Sequence, residues 1–171
     1  MSDVFDIMEA TVAGIHGAMR RGELTCSELV EEYLRRIEAY DRAGPALKSV
    51  ILVNPEALRE ADGIGEAIRE DETSLPLQLH GIPVLLKDNV ETAGMATTSG
   101  SLSLRDYIPD SDAFIVKRLK AAGALILAKA NLHEFAIWGE SVSSVLGQSL
   151  NPYDLSRTPG GSSGGTGAGV A

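Results

Sequence analysis

The chain predicts an α/β fold in which helices cover a sheet, and three observations carry that expectation. The runs Ile82-Pro-Val-Leu-Leu86 and Ala124-Leu-Ile-Leu-Ala128 are apolar without in-out alternation, as strands covered on both faces are. Between them Ala113, Val116, Leu119 and Lys120 recur at helical spacing, so the order reads strand, helix, strand. Upstream, Thr25-Cys-Ser-Glu28 is a capping-box pattern that opens a further helix. Strands alternating with helices define a layered architecture.

Taken in order, residues 9–21 and 26–40 read as two amphipathic helices. In the second, Leu29, Val30, Tyr33, Leu34 and Ile37 form the buried stripe. Residues 49–53 are a short β-rich run. Asn54-Pro55 then starts a helix, because Asn caps well and Pro is tolerated at the first helical position. The polar stretch 69–74 separates this part from the strand at 82–86, which carries Lys87 at its carboxyl end. Asp110 or Ser111 is expected to cap the helix that runs to Gly123, before the strand at 124–128. Residues 164–171 are small, as in a helix packed closely on a sheet, and the chain is expected to end inside that element although domain boundaries usually fall in exposed linkers.

Composition excludes several classes. With 171 residues, 44% of them apolar, the chain is rich enough in core-formers to fold as one domain or part of one. A net charge of −9, with no basic run longer than Arg20-Arg21 or Arg35-Arg36, argues against nucleic acid and anionic membranes as partners. Small molecules or protein are expected instead. Apolar runs fall well short of the roughly 20 residues that span a bilayer. The single cysteine, Cys26, cannot form an intramolecular disulfide and no leader pattern opens the chain, so a cytoplasmic setting is expected.

Two segments carry chemistry. Lys87 follows five apolar residues in Gly81-Ile-Pro-Val-Leu-Leu-Lys-Asp-Asn89, and burial would favour its neutral, basic form. Asp88 would oppose that shift if its carboxylate faced the amine, and a solvated strand-end lysine is the ordinary alternative. In Pro159-Gly-Gly-Ser-Ser-Gly-Gly165, read alone, a flexible linker, a turn or an anion cradle at a helix start are all open. A P-loop would need a Lys-Ser or Lys-Thr pair after its last glycine, which is absent. Cys26 at a helix start, with His16, His80 or His133, could suggest a cysteine hydrolase, but no such signature surrounds it. His133 is expected to cap or pack its helix. No His, Cys or carboxylate group has metal-ligand spacing, so no metal is expected.

These two segments, with residues 112–124 and Asn131-Leu-His-Glu-Phe135 between them, resemble the amidase signature family in residues, order and spacing. Residues 22–37 and 49–57 also look like that family's amino-terminal helices and first strand. The resemblance implies a mixed sheet flanked by helices, with residues 1–75 as a helical lead-in containing the first strand. Residues 76–171 would begin the signature core, as the amino-terminal part of a single domain incomplete at its carboxyl end. It implies that Lys87 is a general base and Ser162 a relay serine, joined to Gly161 by a cis peptide bond. Ser163 is expected to be structural, and no cofactor is implied. Ala136, Ile137 and Trp138 lie where family members line part of the acyl pocket, although Trp138 could equally be a packing residue. Two segments depart from the family pattern: Ala128-Lys-Ala-Asn131 stands where Gly-Lys-Thr-Asn or Gly-Lys-Ser-Asn is usual, and residues 136–141 differ from the commoner small-residue versions.

The family's attacking serine belongs to a segment of the form Gly-x-Asp-x-Gly-Gly-Ser, whose amides build the oxyanion hole. No such segment occurs in residues 1–171. The expectation is a carboxamide hydrolase truncated before its nucleophile, inactive alone and able to self-associate through an incomplete sheet. The alternatives are a non-catalytic or partner-binding fragment, and the front of the amidase component of a tRNA-dependent amidotransferase. Residues 22–41 and Leu79-His80-Gly81 favour a free-standing amidase.

Overall fold

Strand β3 (Leu125–Ala130) lies at the centre of a three-stranded sheet, between β1 (Val50–Val53), which it meets antiparallel, and β2 (Pro83–Lys87), which it meets in parallel. The sheet is therefore mixed. The computed structural model describes residues 5–70 and 78–171. Helices α1 (Val12–Arg20), α2 (Cys26–Arg36) and α3 (Ala57–Glu70) surround one face, and α4 (Phe114–Ala121) packs on the other. A hairpin, β4 (Val142–Ser143) with β5 (Gly147–Gln148), precedes a short helix α5 (Gly164–Val170) that contacts β2 and β3.

The first three helices begin where side chains accept their first amides. Thr11 Oγ1 accepts from Gly14 N at 3.0 Å, so α1 starts at Val12 rather than at residue 9. The capping box of α2 is complete: Thr25 Oγ1 accepts from Glu28 N, and Glu28 Oε2 accepts from Thr25 N. The expected helix to residue 40 ends its α-helical part at Arg36 and widens into a π-helical turn, Ile37–Arg42. Within it, Asp41 is buried and accepts from Ser49 N and Oγ, tying the turn to the start of β1. The helix after Asn54-Pro55 opens at Ala57, with Asn54 Oδ1 accepting from Glu56 N. The polar stretch 69–74 lies mostly outside the described residues.

The expected cap of α4 is corrected. Neither Asp110 nor Ser111 caps it; the helix begins at Phe114 after Ala113, with no side-chain cap. Asp112 instead accepts from Ala93 N at 2.8 Å and pairs with Lys120, joining the loop after β2 to α4.

Both faces of β3 are buried, which explains its apolar sequence. Leu125 and Leu127 point with Leu29, Val30 and Ala61 into the core under the first three helices, and Ile126 points with Val116 and Leu86 to the other side. A bulge lets Val84 pair with Ile126 while Leu85 pairs with Ala128. Leu127 and Ala128 consequently share one core, and Lys129 is delivered to the face that carries Val90. Helix α5 approaches the strands closely because it is made of small residues. A Cβ at Gly165 would overlap the backbone of Asn131.

Candidate active site

Lys87 ends β2 and Ser162 lies on the turn that enters α5, 75 residues away in sequence. The fold brings Lys87 Nζ to 2.7 Å from Ser162 Oγ. Both side chains are half-buried, and burial holds the Lys87 amine below the usual lysine range. In the ammonium form Nζ donates to Oγ. Once neutral, its lone pair can accept the serine proton along the same line. The Gly161–Ser162 peptide bond is cis.

Asp88 does not oppose the shift of its neighbour. Its carboxylate is fully buried and turned away, with Oδ2 accepting from Thr98 N and Thr98 Oγ1, and Oδ1 lying 3.6 Å from Lys129 Nζ. Lys129, also fully buried, donates to Val90 O and Thr97 Oγ1, each at 2.8 Å. Burial pushes the Asp88 carboxyl up and the Lys129 amine down, while the proximity of the two opposes both shifts. Sequence reading missed this pair. The signal available was the lysine in residues 128–131, a charge inside an apolar strand.

Ser162 opens onto a surface depression of about 610 Å³ lined by residues 136–140, Gly161 and Ser162. Ala136, Ile137 and Trp138 thus share one concavity with Ser162. Trp138 is 65% exposed among the described residues. Phe135, Ala136 and Ser141 have φ near +55°, the left-handed region, and this turns the segment around the depression. His133 gives no side-chain cap to the turn that follows; its Nδ1 accepts from Val142 N at 3.4 Å, and its backbone N donates to the carbonyl of Ser162 at 2.9 Å. Ser163 is exposed and makes no side-chain cap for α5.

Cys26 is not an activated thiol. It is buried with Sγ 3.5 Å from Gly81 O, and burial pushes its pKa up to about 11. Among the described residues no helix is long and apolar enough to cross a membrane.

Lys87 at the end of β2 thus meets Ser162 on a glycine-rich turn, and the mixed sheet flanked by helices is the fold that the sequence resemblance implied. The chain belongs to the amidase family, whose model matches residues 28–171. It is 42% identical to a glutamyl-tRNA(Gln) amidotransferase subunit from Halorhodospira halophila over 95% of the chain and 33% of that protein. A native peptide amidase from Stenotrophomonas maltophilia is similar in structure, with a TM-score of 0.87 and 45% identity over 94% of this chain and 33% of that one. A peptide amidase in complex with the competitive inhibitor chymostatin gives 0.89 and 46%, over 96% and 34%. The chain spans about a third of the length of the relatives it matches.

Proposed function

We propose that this chain supplies the general base, Lys87, and the relay serine, Ser162, of a carboxamide hydrolase, with the attacking serine and oxyanion hole coming from outside residues 1–171. The contact of 2.7 Å between Lys87 Nζ and Ser162 Oγ carries this reading. Neutral Lys87 takes the proton of Ser162 while Ser162 takes that of the attacking hydroxyl, and the relay reverses to protonate the departing ammonia or amine. Ala136, Ile137 and Trp138 form part of the wall against which the acyl portion of the amide rests, supported by the depression they share with Ser162. A cytosolic setting goes with this reading, since the only cysteine is buried as a free thiol.

In the complete protein, Lys87→Ala and Ser162→Ala are expected to reduce amide hydrolysis by roughly 10²-fold or more, the usual worth of positioned proton transfer. Near-wild-type rates in either variant would reject the assignment. The acid limb of the pH profile should report Lys87. Activity rises as the amine loses its proton, at a pH below the ~10.4 of an ordinary lysine because burial disfavours the ammonium. The 171-residue chain alone is expected not to hydrolyse amides; turnover abolished by Ser162→Ala would overturn that expectation.

A second reading rests on the 42% identity to the amidotransferase protein: the complete protein would then release ammonia from glutamine for transfer elsewhere. The peptide amidases, at 45–46% identity, favour a free-standing enzyme. Comparing kcat/KM for glutamine and for peptide amides separates the two.

A further inference from the structure

The turn that carries Ser162 is short of regular structure, so something must fix its relay hydroxyl against Lys87. Backbone groups at both ends of the turn converge on one buried side chain. Ser141 Oγ donates to Gly160 O at 2.7 Å and accepts from Gly164 N at 2.8 Å, so one hydroxyl bridges residues 160 and 164. Its single proton is committed to Gly160, which leaves the Ser162 carbonyl, 3.4 Å away, to the His133 amide at 2.9 Å. Ser141 is 0% exposed. Its backbone adopts φ +58°, a region that L side chains seldom occupy, and its carbonyl accepts from Ser149 N in the segment after the strand hairpin.

Glycine at 164 is part of the same device. A Cβ there would overlap the Ser141 side chain, so the amide can reach the hydroxyl only with no side chain of its own. At Gly161 a Cβ would come within 2.8 Å of the Gly139 carbonyl carbon and 3.0 Å of Ser141 Oγ.

We propose that Ser141 is a positioning residue whose hydroxyl bridges Gly160 and Gly164 and so holds the Ser162 hydroxyl on Lys87. Its hydroxyl bonds backbone groups of the turn and not the Lys87 amine or the Ser162 hydroxyl, so it acts through the turn. The inference rests on the reading of Lys87 and Ser162 given above.

The test compares Ser141→Ala and Ser141→Gly in the complete protein. Both lack the hydroxyl, but glycine suits φ +58° and relieves the backbone, so it keeps the test open should the alanine variant fail to fold. Misplacing a reacting group by about 1 Å can cost 10²-fold. Both variants are therefore expected to lose kcat by one to two orders of magnitude with little change in KM, while the amide of Gly164 exchanges its hydrogen faster. If Ser141 served only the backbone conformation, Ser141→Gly would retain wild-type kcat, and that result overturns the proposal. Lys87→Ala and Ser162→Ala run alongside separate the two failures. Active Lys87→Ala or Ser162→Ala enzymes reject the underlying relay and this proposal with it. Inactive ones beside a fully active Ser141→Gly reject the role of Ser141 alone.

Discussion

At the residue scale, the buried pair Asp88 and Lys129 bears on how Lys87 can stay basic. A carboxylate next in sequence would stabilise the ammonium of Lys87 if it faced it. Just past the end of β2, Asp88 is instead held through Oδ2 by Thr98 with Oδ1 beside Lys129, and burial is the cause of the lowered Lys87 value. Removing one member of such a pair strands a charge in the core, which typically costs about 3–5 kcal/mol. Lys129→Met is expected to destabilise the protein by about that amount, and Asp88→Asn combined with Lys129→Met to recover a substantial part of it. Chemical denaturation measures both, and a loss below about 1 kcal/mol for Lys129→Met would mean that Asp88 finds another partner. Lys87 and Ser162 were legible because each sits in a dense local motif. Lys129 and Ser141 were not, since their burial depends on a β-bulge and a left-handed turn that no local pattern announces.

At the element scale, the approach of α5 to the sheet sets where the Ser162 turn ends. Two of its glycines make opposite predictions. Gly165→Ala would drive a methyl into the backbone of Asn131, which cannot yield as a flexible side chain would, so a loss of about 1–3 kcal/mol is expected. Gly167→Ala meets nothing within 4 Å and gains helix propensity, so it should be neutral or stabilise by up to about 1 kcal/mol. Thermal or chemical melts of the two variants decide the matter; equal effects would show that α5 does not sit against the Asn131 backbone as described. The small-residue composition of 164–171 made this packing readable in the sequence, and the Thr25 box did the same for α2. The start of α4 was misread because Asp110, Ser111 and Asp112 are all good caps by type. Asp112 was claimed by Ala93 N and Lys120, contacts set by the loop after β2 rather than by the helix.

At the scale of the whole molecule, the order β1-β3-β2 leaves one edge each of β1 and β2 unpaired among the described residues. The antiparallel placement of β1 was not readable from periodicity, because a covered strand looks the same in either direction; only the family resemblance implied a mixed sheet. Elsewhere on the surface large apolar side chains stand in solvent: Phe114 at 78% exposure, Ile137 at 75% and Tyr153 at 85%. Open edges template further strand pairing, and exposed apolar groups of this size drive association when they form continuous patches. The 171-residue chain by itself is therefore expected to bind a hydrophobic dye and to self-associate as its concentration rises. Its net charge of −9 opposes association by repulsion, so the tendency should strengthen with salt, which shortens the range of that repulsion. Light scattering and dye fluorescence across a salt series test both statements. A monomer at all salt concentrations, with a sharp cooperative melt and no dye binding, would mean that the exposed groups are too dispersed to act together and that the sheet is stable with its edges open.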